Sequence, residues 1–399
     1  MLFRIIILLL ALLLLPDLYI YWMYVRKWTS RWWLRLLSWI PLFSLLGSMI
    51  YLMTSNDMKP ENQPLVGIFM VVFMTICIPK FLFAFFDSIG HLFHSLLVKR
   101  YVRIFAMSLS LFAVIILVYG HLFGRNRYVV HNQTFYFADL PAQFDGYRIA
   151  QFSDFHIGSF RMGHEGEIDK IVNLINSQHC DLIAFTGDLV NHKASELDGF
   201  ETSLRKLSAP DGVFSVMGNH DYSMYMRYKS EKERRADVLD LQRRQRSFGW
   251  RLLLNENVVL HKGNDSIAII GVENEGRPPF PSLANLPKAM RGLNGGVFSV
   301  LLSHDPTHWK KEILPNTNIQ LTLSGHTHSG QFKVFGWSPV KHVYDEWSGA
   351  YSDGAQILNI SDGIGAVMFP FRFGAWPEVN VITLKQGTPE TVNDNDRRD

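Results

Sequence analysis

Two histidines stand two residues apart in Leu323-Ser324-Gly325-His326-Thr327-His328-Ser329-Gly330-Gln331, after a strand-like run from Asn318 to Leu323. Alternate residues at a strand end point the same way, so both imidazoles can face one pocket. A neutral imidazole offers a nitrogen lone pair, which makes His the commonest metal ligand near neutral pH. Taken alone, the pair would equally suit a polar turn with solvated side chains. What precedes it decides between the two. Four earlier strand-like runs end in Ser153-Asp154-Phe155-His156, Gly187-Asp188, Gly218-Asn219-His220-Asp221 and Ser303-His304-Asp305. Any one of these is a weak signal, since Asp, Asn and His all serve turns in their own right. Five in order, each closing a strand-like run, exceed what turn chemistry explains.

The donors are two carboxylates, one amide oxygen and four imidazoles, with no thiolate: Asp154, His156, Asp188, Asn219, His304, His326 and His328. Mixed nitrogen and oxygen ligands suit Mn, Fe or Zn better than Ca or Mg, which favour oxygen shells. Seven donors are too many for one ion, and two ions sharing a carboxylate are the natural solution. Paired metals about 3.5 to 4 Å apart clamp a phosphoryl oxygen and hold a bridging hydroxide. Metal binding brings the pKa of water toward about 7, so hydroxide becomes available near neutral pH for in-line attack on phosphorus.

The elements that must deliver these residues lie between positions 125 and 399. Strand-like runs are Tyr147 to Phe152, Leu182 to Phe185, Val213 to Met217, Arg251 to Leu254, Val258 to His261, Ser266 to Val272, Val297 to Leu302 and Asn318 to Leu323. Helical spacing marks Glu165 to Ser177, through Ile168, Ile171, Val172 and Ile175, and also Lys229 to Arg246. The alternation predicts an α/β domain, in which ligands gather at the carboxyl ends of strands. The last residues, Asn393 to Asp399, read as a frayed polar tail.

The first 124 residues are of another kind. Apolar runs over 2–24, 32–53, 65–86 and 102–123 each have about the 20 residues a bilayer-spanning helix needs. The first is too long for a cleaved signal peptide, holds Pro16 and lacks a small-residue cleavage site. Trp22, Trp28, Trp32 and Trp33 cluster around the first loop, as interfacial aromatics do. Loops one and three carry Arg26, Lys27, Arg31, Arg35, Lys99, Arg100 and Arg103, against Arg4, Lys59, Arg125 and Arg127 on the other side. That bias places the two loops in the cytoplasm and everything after Phe123 outside it. Lys80, beside Pro79, reads as a pairing or snorkelling lysine with no series of intramembrane charges around it, which argues against an ion pathway. The net charge of +3 is too small to argue for nucleic acid, and two cysteines make neither a disulfide framework nor a Cys-type zinc site.

Asp154-Phe155-His156, Gly187-Asp188, Gly218-Asn219-His220-Asp221, His304 and Gly325-His326-Thr327-His328, in that order, resemble the calcineurin-like metallophosphoesterase superfamily. The stretch Asn359-Ile360-Ser361-Asp362-Gly363-Ile364-Gly365, with Arg372 and Pro377-Glu378-Val379, looks like its membrane-associated branch. The resemblance implies a four-layer α/β/β/α sandwich of two mixed sheets that follows one or several apolar helices, and the apolar runs make four of them. It divides the chain into a transmembrane region over 1–124, a linker and leading strand over 125–144, a catalytic domain over 145–385 and a polar tail over 386–399. It also implies roles. Asp154, His156 and His328 hold one ion, Asn219, His304 and His326 the other, and Asp188 bridges them. His220 contacts the substrate phosphate or protonates the leaving group. Asp221 orients His220 by accepting its other ring N–H, or is a simple turn residue.

The expectation is therefore a multi-pass cell-membrane phosphoesterase using two divalent ions, with Mn favoured over Fe or Zn and an extracytoplasmic catalytic domain. It hydrolyses a phosphomonoester, phosphodiester or pyrophosphate through a metal-bridging hydroxide. A phospholipid or lipid-linked pyrophosphate is the attractive substrate. The alternatives are a metal-stabilised, membrane-tethered binding module without turnover, and a transporter with an appended domain. Lys229 to Arg246, with seven basic and four acidic residues, is a solvated helix or a face for anionic groups. Arg277-Pro278-Pro279-Phe280-Pro281 is a stiff loop that either borders the pocket or merely connects.

Overall fold

The computed structural model describes residues 2–388 apart from 55–62, 162, 165, 277 and 279. Lys59, Glu165, Arg277, Pro279 and the tail from 393 lie outside the described residues. The chain divides into two units, Met1–Gly124 with Met368–Phe371, and Arg125–Val367 with Arg372–Asp399.

Among the described residues the first unit holds four helical stretches long and apolar enough to cross a membrane: Ile7–Trp28, Trp32–Leu52, Leu65–Gly90 and Leu96–Asn126. The fourth begins six residues before the expected 102, so Lys99, Arg100 and Arg103 lie on the helix rather than in a loop. Lys80 is indeed paired, its Nζ lying 2.7 Å from Asp17 Oδ1. It is not isolated, and here the expectation is corrected. Asp87, also buried, accepts from Tyr19 Oη at 2.7 Å, from Tyr24 Oη, and from Arg103 Nε at 3.1 Å. The first apolar run hid Asp17, because a single Asp among leucines barely alters its hydropathy, and Asp87 lies one residue beyond the expected end of the third run at 86, inside a span that continues to Gly90. Their partners sit on other helices, so each charge is met by hydrogen bonds where lipid offers none.

In the second unit, period-two alternation buries both faces of each sheet. The strands are β1 (Val129–Phe137), β2 (Arg148–Phe152), β3 (Leu182–Phe185), β4 (Val213–Ser215), β5 (Arg251–Leu252), β6 (Glu256–Lys262), β7 (Asp265–Gly271), β8 (Phe298–Leu302), β9 (Leu321–Ser324), β10 (Gly349–Asp353), β11 (Gln356–Ile360) and β12 (Glu378–Gln386). One sheet runs β1-β12-β2-β3-β4-β5, parallel except for β12 against β2. The other runs β10-β11-β9-β8-β7-β6, with antiparallel pairs at its two edges. Ile149, Leu182, Ile267, Ile269, Val300 and Leu321 form the core between the sheets. Their strand neighbours Ala150 and Ile183 pack outward on Ile168, Ile171, Val172 and Leu241 of helices Gly166–Asn176 and Glu231–Ser247. Ala268, Ile270 and Leu301 pack outward on Leu286, Trp309 and Ile313. The result is helix, sheet, sheet, helix, as the resemblance implied.

One polar link pins the sheets together beneath the site. Gln151 of β2, fully buried, donates to the Ser324 carbonyl of β9 at 2.8 Å and accepts from Asn359 Nδ2 of β11 at 2.7 Å. A buried amide left unpaired costs about 1–3 kcal/mol, so this register is strongly preferred. The basic helix Glu231–Ser247 answers most of its own charge. Glu231 takes Arg234 and Arg235, and Asp240 takes Arg243 and Arg244, the last also reaching Asp198 at 2.6 Å. That is the solvated-helix reading of the run.

Candidate metal centre

Five strands end at one place. β2 leads into Asp154 and His156, β3 into Asp188, β4 into Asn219 and His220, β8 into His304, and β9 into His326 and His328. Reversing direction within two residues of a strand forces unusual backbone. Asp154, His156, Asp188, His326 and His328 all have positive φ, between +45° and +76°. For a residue with a Cβ such a conformation costs on the order of 1 kcal/mol, and it persists only where surroundings over-determine it. Two glycines make the close approach possible. A Cβ on Gly218 would lie 2.2 Å from Asp188 Oδ1, and one on Gly325 would lie 2.3 Å from Asp154 Oδ2.

The donor atoms fall into three overlapping groups, each within 4.8 Å: Asp154, His156 and His328; His156, Asp188 and His220; Asp188, His304 and His326. His156 Nε2 lies 3.0 Å from His328 Nε2, and His328 Nε2 lies 3.2 Å from Asp154 Oδ1. On the other side, His304 Nε2 lies 3.2 Å from both Asp188 Oδ2 and Asn219 Oδ1. The second ring nitrogen of His304 faces the Thr186 carbonyl at 2.8 Å, which fixes the tautomer and turns the Nε2 lone pair inward. His326 is held the other way round. Its Nε2 lies 2.8 Å from Tyr344 Oη and 3.7 Å from Asp305 Oδ2, leaving Nδ1 for an ion. Asn219 gives its Nδ2 to Tyr225 Oη at 2.7 Å, so its oxygen is the atom turned toward His304.

The electrostatics ask for positive charge. Burial alone would raise the carboxyls of Asp154 and Asp188, yet the surrounding histidines hold both below the usual carboxylate range, Asp154 chiefly through His328 and Asp188 chiefly through His304. Burial would likewise depress His304, but the Asp188 charge lifts it to about 10. His156, with two other imidazoles beside it, is pushed well down by burial. Two buried anions thus recruit a proton to the nearest base. A divalent cation answers the same need with more charge, and the inward lone pairs of neutral imidazoles suit it better than they suit one another. The donor set fits divalent metal.

A family profile described as "Calcineurin-like phosphoesterase" matches residues 147–330, and one described as "Probable Calcineurin-like phosphoesterase, transmembrane domain" matches residues 3–125. The Bacillus subtilis "Uncharacterized metallophosphoesterase YkuE" is 31% identical over 258 residues, which cover 62% of this chain and 82% of that protein. The chain belongs to the calcineurin-like phosphoesterases. An Aquifex aeolicus "Uncharacterized metallophosphoesterase" is 26% identical over 242 residues, covering 60% of this chain and 85% of that one. A Danio rerio "Transmembrane protein with metallophosphoesterase domain" is 27% identical over 255 residues, covering 62% of this chain and 55% of that one. The protein is accordingly a metal-dependent hydrolase with a membrane domain.

Within this phosphoesterase, all nine residues singled out in the sequence converge, but Asp221 does not orient His220. His220 Nδ1 lies 2.7 Å from the Asn191 carbonyl, and that carbonyl takes the ring N–H. The Asp221 carboxylate accepts instead from the backbone N–H groups of Asp188, Leu189, Val190 and Gly218, at 2.9 to 3.2 Å. Its short side chain is consumed at the loop that carries Asp188 and cannot also reach the ring. Residues that the motifs did not single out complete the site. Tyr225 stacks on His220, with ring centroids 4.3 Å apart, and Phe280 meets His326 edge-on at 5.6 Å. Phe280 of the proline-rich stretch thus lies beside the site. Arg372, which the sequence offered only as part of the family resemblance and with no role at the site, is fully buried, lies 3.0 Å from His328 Nδ1 and backs that ring.

Proposed function

We propose that this phosphoesterase is binuclear. Asp154, His156 and His328 hold one ion, Asn219, His304 and His326 hold the second, and Asp188 is shared. The observation that supports this reading is the overlap of the three donor groups at Asp188 and His156, which no single ion can satisfy at once. When bound, the pair supplies Lewis acidity toward a phosphoryl oxygen and a nucleophile derived from water near neutral pH. The nitrogen and oxygen donors suit Mn, Fe or Zn, and Mn is the ion we favour.

The residues of the chain contribute orientation and proton handling. Asp188 is fixed by its own backbone N–H to Asp221 and by His220 N–H to its Oδ1 at 2.8 Å. His220 keeps its Nδ1 proton on Asn191 and presents Nε2, the atom that can contact the phosphate or pass a proton to the leaving oxygen. The substrate is a phosphomonoester, phosphodiester or pyrophosphate. Four spans directly ahead of the catalytic unit support a lipid-linked or membrane-proximal one. The excess of basic residues at the span ends around the first and third connections supports an extracytoplasmic catalytic domain.

Elemental analysis of the purified full chain tests this reading, paired with hydrolysis of p-nitrophenyl phosphate and its bis ester. Two Mn per chain are expected, with turnover reduced at least a thousandfold in Asp188→Ala and His326→Ala. One ion per chain, with activity intact, would remove the binuclear assignment.

A further inference from the structure

The hairpin that follows the last candidate ligand carries an aromatic residue where water-facing turns carry Asn. Val334 and Trp337 exchange both backbone hydrogen bonds at 2.9 Å, so Phe335 and Gly336 form a two-residue turn. Both have positive φ, +48° and +72°. Such turns select Asn, Asp or Gly at the first position because larger side chains are crowded there. Burial does not compensate for Phe335, which is 103% exposed, and Trp337 and Val343 stand 43% and 62% exposed nearby. Trp337 lies against His342, with ring centroids 6.1 Å apart, which brings the exposed Lys341 and His342 to the shoulder of the tip. The acidic Asp345 that follows is answered by Lys310 at 3.9 Å.

We propose that this tip enters the lipid–water interface of the bilayer that the four helices span. Trp and Phe with a basic flank are what that interface selects, since the rings leave water while the cations meet headgroup phosphates. A further observation supports the bilayer as occupant: only Arg127 and Tyr128 separate the end of the fourth span at Asn126 from the first residue of β1, so a two-residue connection joins the catalytic unit to that span. Within the catalytic unit, the base of the hairpin is tied to the segment around Phe373. Lys333 N–H donates to the Phe373 carbonyl at 2.8 Å, and Phe373 N–H to the Gln331 carbonyl at 3.1 Å. The hairpin is also braced on the ligand loop, with Ser338 Oγ donating to the Ser329 carbonyl at 2.6 Å, next to His328. Seating the tip therefore fixes how far the metal centre stands from the headgroups.

The test uses the full chain in nanodiscs, with Phe335→Cys carrying an environment-sensitive fluorophore and Glu256→Cys, on the exposed face of β6, as the comparison. Cys77 and Cys180 are buried, and the unsubstituted chain gives the labelling background. At position 335 the emission is expected to shift to the blue, to fall at least twofold with doxyl-labelled phosphatidylcholine, and to resist aqueous iodide. Position 256 should do the reverse. The proposal is overturned if iodide quenches position 335 as it quenches 256. It is also overturned if 335 is shielded from iodide without doxyl quenching, because a protein surface would then be the cover. The readout needs no turnover, so its failure is separate from any failure of the binuclear reading.

Discussion

Tyr225 reaches two functional groups at once: its hydroxyl accepts from Asn219 Nδ2 at 2.7 Å while its ring lies 4.3 Å from that of His220. The hydroxyl decides which end of the Asn219 amide faces the centre. Without it, no other hydrogen bond to Nδ2 among the described residues holds the amide against a flip that would present N–H groups to a cation. Tyr225→Phe keeps the stack and removes the hydrogen bond. The expected outcome is a loss of roughly tenfold in affinity for one ion, with the other unchanged, as is typical when a group behind a ligand is lost. Calorimetric titration of metal into the stripped full chain reads this directly. Equal weakening of both ions would show that the tyrosine acts through general packing.

Asp221 gives a second prediction, because two roles for it make different demands. If it organised His220, Asp221→Asn would move the pH–rate profile. Its four backbone donors say otherwise, since Asn offers one acceptor oxygen in place of two and sets an NH₂ against N–H groups. The expected result is a 10- to 100-fold loss of metal affinity with the pH–rate profile unmoved once metal is saturating. His220→Asn serves as the reverse control, with metal content retained and kcat reduced by about 10²–10⁴.

The seven donors were legible in sequence because each falls within four residues of a strand end, where chain order and spatial order coincide. Tyr225 and Tyr344 were not, since they arrive from irregular loops with no period to place them. Asp221 could be read two ways, as the group orienting His220 or as a turn residue, because adjacency to His220 in sequence says nothing about where a carboxylate points; its bonds to loop backbone N–H groups exclude the first. Among strands, β10 reads Gly-Ala-Tyr-Ser-Asp, is largely exposed at a sheet edge, and carries little apolar signal. β12 was quoted only as a motif. Its alternation places Val379 and Val381 on the helix side and Ile382 and Leu384 between the sheets. Asp17 escaped notice because hydropathy averages over a run, whereas a salt bridge depends on one atom.

That salt bridge supplies a third prediction. Lys80 Nζ and Asp17 Oδ1 are 2.7 Å apart, and Asp17 Oδ2 has no hydrogen-bond partner among the described residues. Removing only the lysine strands a carboxylate at membrane depth, which costs on the order of 3 kcal/mol. Lys80→Met should therefore lower the detergent unfolding midpoint markedly, while the double variant Lys80→Met with Asp17→Leu should recover most of the loss. Melting of the purified full chain, followed by tryptophan fluorescence, checks this. No rescue in the double variant would mean that the pair does more than neutralise itself.

Glu378 yields a prediction in pH. Burial first, and then the Asp362 charge, push its carboxyl up to about 7. Its Oε1 accepts from Asp362 N–H at 2.9 Å and from Asn380 Nδ2 at 2.8 Å, and its Oε2 lies 3.4 Å from His131 Nε2. The Lys333 cation acts on it only weakly, being engaged with Asp362 at 3.1 Å. Burial keeps the His131 imidazole below its usual range, so a protonated Glu378 beside a neutral imidazole is the consistent state near neutral pH. A folded pKa above the unfolded value means that the native state binds the proton more tightly. The stabilisation is then complete below about 4.5, the ordinary glutamate value, and is lost as pH rises through about 7. Glu378→Gln retains the Oε1 acceptor and cannot ionise. The melting temperature of the wild type minus that of the variant should therefore fall by several degrees between pH 5 and pH 8. A flat difference over that range would mean that Glu378 is ionised throughout and that its charge is answered by His131.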